Sequence, residues 1–127
     1  MHSTEFNPTR KDVEKFLQDF KETVITGTGL IVRKNPKNFQ ALAELGITVK
    51  QREEILLNLS VDDYSSGPLE DRDYPGDVWI FGTKIDRLET YIKLKLETRR
   101  GVDFARCYSF HPAEFKMNYP FRQSEEN

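Results

Sequence analysis

The sequence is poor in the residues that build disulfide frameworks, zinc sites and membrane spans. Its 127 residues include one cysteine and two histidines. A single cysteine cannot form an internal disulfide, which is typical of a reducing compartment. Because there is no CxxC or HExxH pair, we predict no metal site and no cofactor. The longest apolar runs, such as Val78 to Phe81, are too short to cross a bilayer. The N-terminus lacks a signal pattern, so we expect a cytoplasmic protein without membrane contact.

The chain also lacks an excess of basic charge. Lys and Arg number 19 against 21 Asp and Glu, a net charge of −2. That balance argues against a dedicated nucleic-acid binder with a strongly basic surface. The charges are uneven, however: residues 60–76 hold five acids and one arginine, whereas residues 84–106 hold seven cations and four acids. The second half of the chain can therefore present a local positive face.

Helix signals dominate the first half of the sequence. Capping boxes at Thr9–Asp12 and Thr48–Gln51 predict the start of two helices. Asn35-Pro36 predicts the start of another helix and Gly46 predicts its end. The apolar face of this helix would be Phe39, Leu42 and Leu45. The predicted helices cover about 9–23, 36–45 and 49–59.

Strands dominate the second half. We predict strands at 77–82, 89–97 and 103–111, after a short one at 30–33. Residues 60–76 are rich in Ser, Gly, Pro and Asp and predict a long ordered loop, anchored by a buried Tyr64. The tail after His111 is expected to run extended along the core. The prediction is one α+β domain over 1–127, with helices packed on a mostly antiparallel sheet and loose ends at 1–7 and 122–127.

Period-two alternation in residues 91–111 predicts a two-faced hairpin. A tight turn near Arg99 and Arg100 would place Tyr91 opposite Ser109 and Lys93 opposite Cys107. The core face would then hold Ile92, Leu94, Leu96, Phe104, Tyr108 and Phe110. The polar face would hold Tyr91, Lys93, Lys95, Cys107, Ser109 and His111, with Arg106 on the wrong side to join them. We expect Tyr91 and His111 to lie within about 10 Å of each other.

A set of landmarks runs from residue 45 to residue 111: Leu45-Gly46-Ile47, Ile55, Leu59-Ser60, Asp63-Tyr64, Trp79, Tyr91-Ile92-Lys93 and Ser109-Phe110. In order and spacing this set resembles the MqsR family of bacterial toxins. Three positions depart from the family pattern. His111 stands where the family has a lysine, Ser66 where it has another lysine, and Ile80 where it has a glutamine. Residues 112–127 extend beyond the family's usual end.

The resemblance implies a RelE-like toxin fold, cleavage of mRNA without a metal ion, and neutralisation by a cognate antitoxin. It also implies that Tyr91 is the active-site tyrosine. Such cleavage needs a base for the ribose 2′-hydroxyl, an acid for the 5′ oxygen and cations for the phosphorane. The candidates are His111, Tyr91 and Lys93 for catalysis, and Lys95, Arg99 and Arg100 for RNA binding.

Other interpretations of the same residues remain open. His111 can simply end a strand with its hydrogen bonds satisfied, and Tyr91 can form a cross-strand aromatic pair. Lysines on a strand are often no more than a solvated face. At the level of function, the alternatives are a non-catalytic protein-interaction module derived from a toxin, and a nucleic-acid-binding regulator that performs no chemistry.

Overall fold

Local capping signals start the helices at the predicted residues. The computed structural model describes residues 7–122. Thr9 and Thr48 form reciprocal capping boxes with Asp12 and Gln51. Gly46 ends the middle helix in the left-handed conformation, with φ of 69°. The helices are α1 (Arg10–Thr26), α2 (Pro36–Leu45) and α3 (Val49–Leu57). The ends predicted to be loose lie outside the described residues, apart from Asn7 and Arg122.

The strands form one five-stranded sheet in the order β1-β5-β4-β3-β2. They are β1 (Leu30–Val32), β2 (Tyr64–Glu70), β3 (Asp77–Ile85), β4 (Leu88–Arg99) and β5 (Val102–Pro112). β1 pairs with β5 in parallel, and the other neighbours pair antiparallel. The predicted α+β class and the mostly antiparallel sheet are therefore confirmed.

The prediction of a long loop at 60–76 was wrong for residues 61–70. Residues Val61–Asp63 form a 3₁₀ turn, and the next seven residues form β2 at the sheet edge. The pairing of β2 with β3 shifts register twice, on either side of Ser66. Gly67 and Pro68 are tolerated there because an edge strand with bulges need not donate every backbone hydrogen bond. Tyr64 is buried at 5% exposure, as predicted.

Helix α1 covers one face of the sheet and forms the core with it. Val13 and Phe20 are fully buried, and Phe16 stacks on Trp79 with ring centroids 4.7 Å apart. The tail 113–122 forms no helix, as predicted, and Phe121 packs 5.4 Å from the Tyr64 ring. The opposite sheet face, here called the open face, carries Tyr91, Lys93, Lys95, Arg106, Tyr108 and His111.

The predicted apolar face of α2 was wrong at Phe39, which is 82% exposed. Asn38 is buried in its place at 2% exposure. Its amide nitrogen donates to the carbonyls of Arg33 and Tyr108, and its amide oxygen accepts from the Phe110 N–H. These bonds satisfy β5 backbone groups where the short strand β1 has ended, and they set the rotation of α2.

Candidate active site

A β-bulge in the β4–β5 hairpin decides which side chains reach the open face. Tyr91 pairs with His111 and Lys93 with Ser109, two residues away from the predicted partners, but Leu94 pairs with Cys107. Tyr108 is therefore the extra residue of a bulge. From Cys107 towards the turn, the side chains of β5 lie on the opposite face from the one predicted.

The predicted faces of Cys107, Tyr108, Phe104 and Arg106 were consequently wrong. Cys107 is fully buried in the core. Burial raises the pKa of its thiol to about 12, which makes it a poor nucleophile. Tyr108 and Arg106 lie on the open face, and Phe104 pairs with Glu97.

Tyr91 and His111 are direct cross-strand neighbours on the open face. Their ring centroids are 5.6 Å apart and the rings are inclined by 27°, a stacked arrangement. Both side chains are half-buried. The prediction that the two rings share a face at close range is confirmed.

The hydrogen bond of His111 determines which ring nitrogen carries the proton in the neutral form. Nδ1 lies 3.0 Å from the carbonyl oxygen of Pro112. Because a carbonyl only accepts, Nδ1 carries the proton and a neutral His111 has its lone pair on Nε2. Burial raises the pKa of Tyr91, so its hydroxyl stays protonated at neutral pH. The pair therefore offers one proton acceptor and one proton donor.

A groove of about 640 Å³ lies beside Tyr91 on the open face. Its cationic lining is Arg33, Arg72 and Lys93, and its acidic lining is Glu70, Asp71 and Asp73. Lys93 is two residues along β4 from Tyr91 and points the same way, at about 7 Å. An ammonium group thus lies next to the acid–base pair.

A second groove of about 260 Å³ continues across the open face. Arg99, Arg106 and Tyr74 line it together with Glu97. Glu97 accepts hydrogen bonds from Arg99 at 2.6 Å and from Arg106 at 2.5 Å. Arg33 and Tyr108 line both grooves, so the grooves adjoin there. We refer to the two together as the open-face grooves.

Lys95 does not present its ammonium group to solvent, so the prediction that it binds RNA was wrong. It is 1% exposed, and its Nζ lies 2.7 Å from Asp71 Oδ2 and 2.8 Å from the Pro75 carbonyl. Tyr108 also donates to Asp71 Oδ2 at 2.7 Å. Burial alone would raise the pKa of Asp71, but the hydrogen bonds from Lys95 and Tyr108 hold it well below the usual range. This network attaches segment 71–76 to the sheet.

The other two residues predicted to bind RNA lie at the turn of the hairpin. Arg99 is exposed and paired with Glu97. Arg100 is exposed at the tip with φ of 50°. Sequence reasoning missed Arg33, Arg72, Arg106 and Tyr108 in the open-face grooves. Arg33 and Arg72 come from elements remote in sequence, and the bulge moved the other two, so no local pattern indicated them.

Comparisons with known proteins indicate neither a family nor a function for this chain. No protein-family model, curated protein or solved structure matches the chain. Within residues 7–122, no three His, Cys, Asp or Glu side chains form a group that could hold a metal ion. Over the same range, no helix has the length and apolar character needed to cross a membrane. Function must therefore be inferred from the open face itself.

Proposed function

We propose that this protein is an MqsR-like toxin with a RelE-like fold that acts in the cytoplasm. It cleaves mRNA without a metal ion, and a cognate antitoxin neutralises it. The observation that supports this proposal best is the stacked Tyr91–His111 pair beside Lys93 on the open face. These groups supply a base, an acid and a cation, the set that RNA transesterification requires.

In this mechanism His111 Nε2 takes the proton from a ribose 2′-hydroxyl. The 2′ oxygen then attacks the adjacent phosphorus atom, and the bond from phosphorus to the 5′ oxygen breaks. The Tyr91 hydroxyl gives its proton to the departing 5′ oxygen, and Lys93 stabilises the charge of the phosphorane. The products are a 2′,3′-cyclic phosphate and a free 5′-hydroxyl, and the proton on His111 returns to Tyr91 to complete the cycle.

The charge of the open-face grooves favours a polyanionic substrate. Five cations line them: Arg33, Arg72, Lys93, Arg99 and Arg106. Asp71 is already neutralised by Lys95, which leaves Glu70, Asp73 and Glu97 as the opposing acids. The positive balance is local, since the whole chain has a net charge of −2. Single-stranded RNA can follow the grooves towards the exposed Arg100, with a base stacking on Tyr74, which is 56% exposed.

Cleavage of an end-labelled single-stranded RNA by the purified protein tests the proposal. We expect His111→Ala to lower the cleavage rate by about 10²- to 10⁴-fold, the usual contribution of one acid–base group. Tyr91→Phe should cause a large loss as well, because it removes only the hydroxyl. Lys93→Ala should lower the rate, whereas the matched variant Lys84→Ala, an exposed lysine outside the grooves, should not. His2→Ala serves as the histidine control.

Two further measurements separate this function from its alternatives. Cleavage should survive a chelator and leave 2′,3′-cyclic phosphate ends, and induced expression should arrest growth unless an antitoxin is co-expressed. Salt-sensitive RNA binding without cleavage would instead support a nucleic-acid-binding regulator. Loss of cleavage in chelator, or full activity of His111→Ala, would refute the mechanism. Failure both to bind and to cleave RNA would favour the alternative of a non-catalytic protein-interaction module.

A further inference from the structure

A second kind of surface lies between α2 and α3, next to the edge strand β1. It is a groove of about 750 Å³, here called the α2–α3 groove. Its walls are apolar: Phe39 and Leu42 from α2 face Val49 from α3, and Val32 of β1 adds to the lining. Phe39 is 82% exposed and Val49 is 61% exposed. Exposed apolar side chains that line one groove are typical of a binding surface.

A buried arginine without a full set of partners lies in this groove. Arg52 lines it from α3 and is only 9% exposed. Its Nε has no hydrogen-bond partner within the part of the chain that the structure describes. A buried donor that lacks a partner is costly, because its hydration has been lost and nothing replaces it. A ligand that brings a hydrogen-bond acceptor into the groove would therefore satisfy Arg52, and an anionic acceptor suits a guanidinium best.

The other charged residues of the groove have the same sign. Arg33 and Lys34 line its rim, and no Asp or Glu of the described residues contributes to the lining. Apolar walls combined with three cations suit a ligand that carries apolar and acidic groups side by side.

We propose that the α2–α3 groove binds an acidic amphipathic segment of a partner protein. A carboxylate of that segment binds Arg52, and its apolar side chains pack between Phe39 and Val49. A flat membrane surface fits less well, because the Arg52 side chain is buried and its ligand must enter the groove. Nucleic acid also fits less well, because apolar walls offer little to a sugar–phosphate backbone. The proposal does not depend on RNA cleavage.

Selection from a displayed library of random 12-residue peptides against the purified full-length protein tests this proposal. We expect the enriched peptides to combine Asp or Glu with large apolar residues. Arg52→Met should weaken their binding by about 10- to 100-fold, the effect of losing a charged hydrogen bond. It should leave the melting temperature unchanged or raise it, because a costly buried charge is removed. Phe39→Ser should also weaken binding.

Matched substitutions outside the groove provide the controls. Lys50→Met changes an exposed cation on α3, and Ile25→Ser changes a residue of α1 that is 66% exposed. Both should bind the selected peptides normally. The proposal is overturned if no acidic amphipathic peptide is enriched, or if selected peptides bind Arg52→Met and Phe39→Ser as tightly as the unmodified protein. It is also overturned if sedimentation shows a dimer that Phe39→Ser dissociates, since a second copy would then fill the groove.

Discussion

At the scale of single residues, burial gives different roles to two lysines of one strand, Lys93 and Lys95. Both belong to the alternating polar positions of β4. Lys93 lines a groove and is half-buried, whereas the side chains of Lys95 and Asp71 are 1% and 3% exposed. Burial alone would lower the pKa of Lys95, but the hydrogen bonds with Asp71 and Tyr108 raise it. The ammonium of Lys95 therefore stays charged as a structural group, and that of Lys93 remains accessible to a ligand.

This difference leads to a prediction about stability. Lys95→Met leaves the Asp71 carboxylate buried without its partner, which should lower the free energy of unfolding by about 3–5 kcal/mol. Lys93→Met, the matched control, should change it by no more than about 0.5 kcal/mol. Urea unfolding gives both values. Hydrogen exchange should also accelerate at 71–76 in Lys95→Met, because the network no longer holds that segment. Equal stabilities of the two variants would refute the structural role of Lys95.

At the scale of secondary-structure elements, the sequence predicted what local interactions determine. Thr9 and Asp12 lie three positions apart, as do Thr48 and Gln51, so their capping bonds form within one helical turn. The bulge at Tyr108 was not predictable in this way. The tyrosine hydroxyl bonds to Asp71, which is 37 positions away in sequence. Only the folded sheet brings Tyr108 and Asp71 together. The bulge then changes the sheet face on which residues 102–107 of β5 lie.

The same reasoning explains the errors at Phe39 and in 60–76. A helical spacing of apolar residues indicates a buried stripe, but the rotation of α2 is set by Asn38 bonds to the backbone of β5. The composition of 60–76 is typical of a loop, yet residues 64–70 pair with β3 as an edge strand. In the candidate site, the faces of Tyr91, Lys93 and His111 were predicted correctly from strand alternation, because their pairing differs from the predicted one by two residues and such a shift changes no face.

The hairpin that joins β3 and β4 gives a prediction at this scale. Asp86 and Arg87 form its two-residue turn with φ of 49° and 74°, the left-handed region that favours glycine. Relief of the steric cost at Arg87, about 1–2 kcal/mol, should exceed the entropic cost of glycine, about 0.5–1 kcal/mol. Arg87→Gly should therefore raise the free energy of unfolding by about 0.5–1 kcal/mol. The control Lys84→Gly, in β3 of the same hairpin, should lower it. Thermal unfolding measures both, and destabilisation by Arg87→Gly would contradict this account of the turn.

At the scale of the whole molecule, two different surfaces meet at one residue. The open-face grooves carry the Tyr91 side of the acid–base pair and five cations, and they suit a polyanion. The α2–α3 groove is apolar with a buried arginine, and it suits an acidic peptide. Arg33 lines all three cavities. Its guanidinium carbon lies 3.7 Å from the centre of the Tyr108 ring, on the border between the open face and the edge strand.

This placement predicts that Arg33 couples the two binding surfaces. Arg33→Ala should weaken both RNA binding and peptide binding, and should reduce the salt dependence of RNA binding by the equivalent of about one phosphate contact. Lys34→Ala is the matched control, because Lys34 lines the α2–α3 groove but neither open-face groove. It should weaken peptide binding alone, while His111→Ala should lower the cleavage rate by about 10²- to 10⁴-fold and preserve RNA binding. Fluorescence anisotropy with labelled RNA and with a selected peptide measures each affinity. If Arg33→Ala and Lys34→Ala have the same effects on both ligands, Arg33 does not link the two surfaces, and a bound peptide would not be expected to compete with RNA at their border.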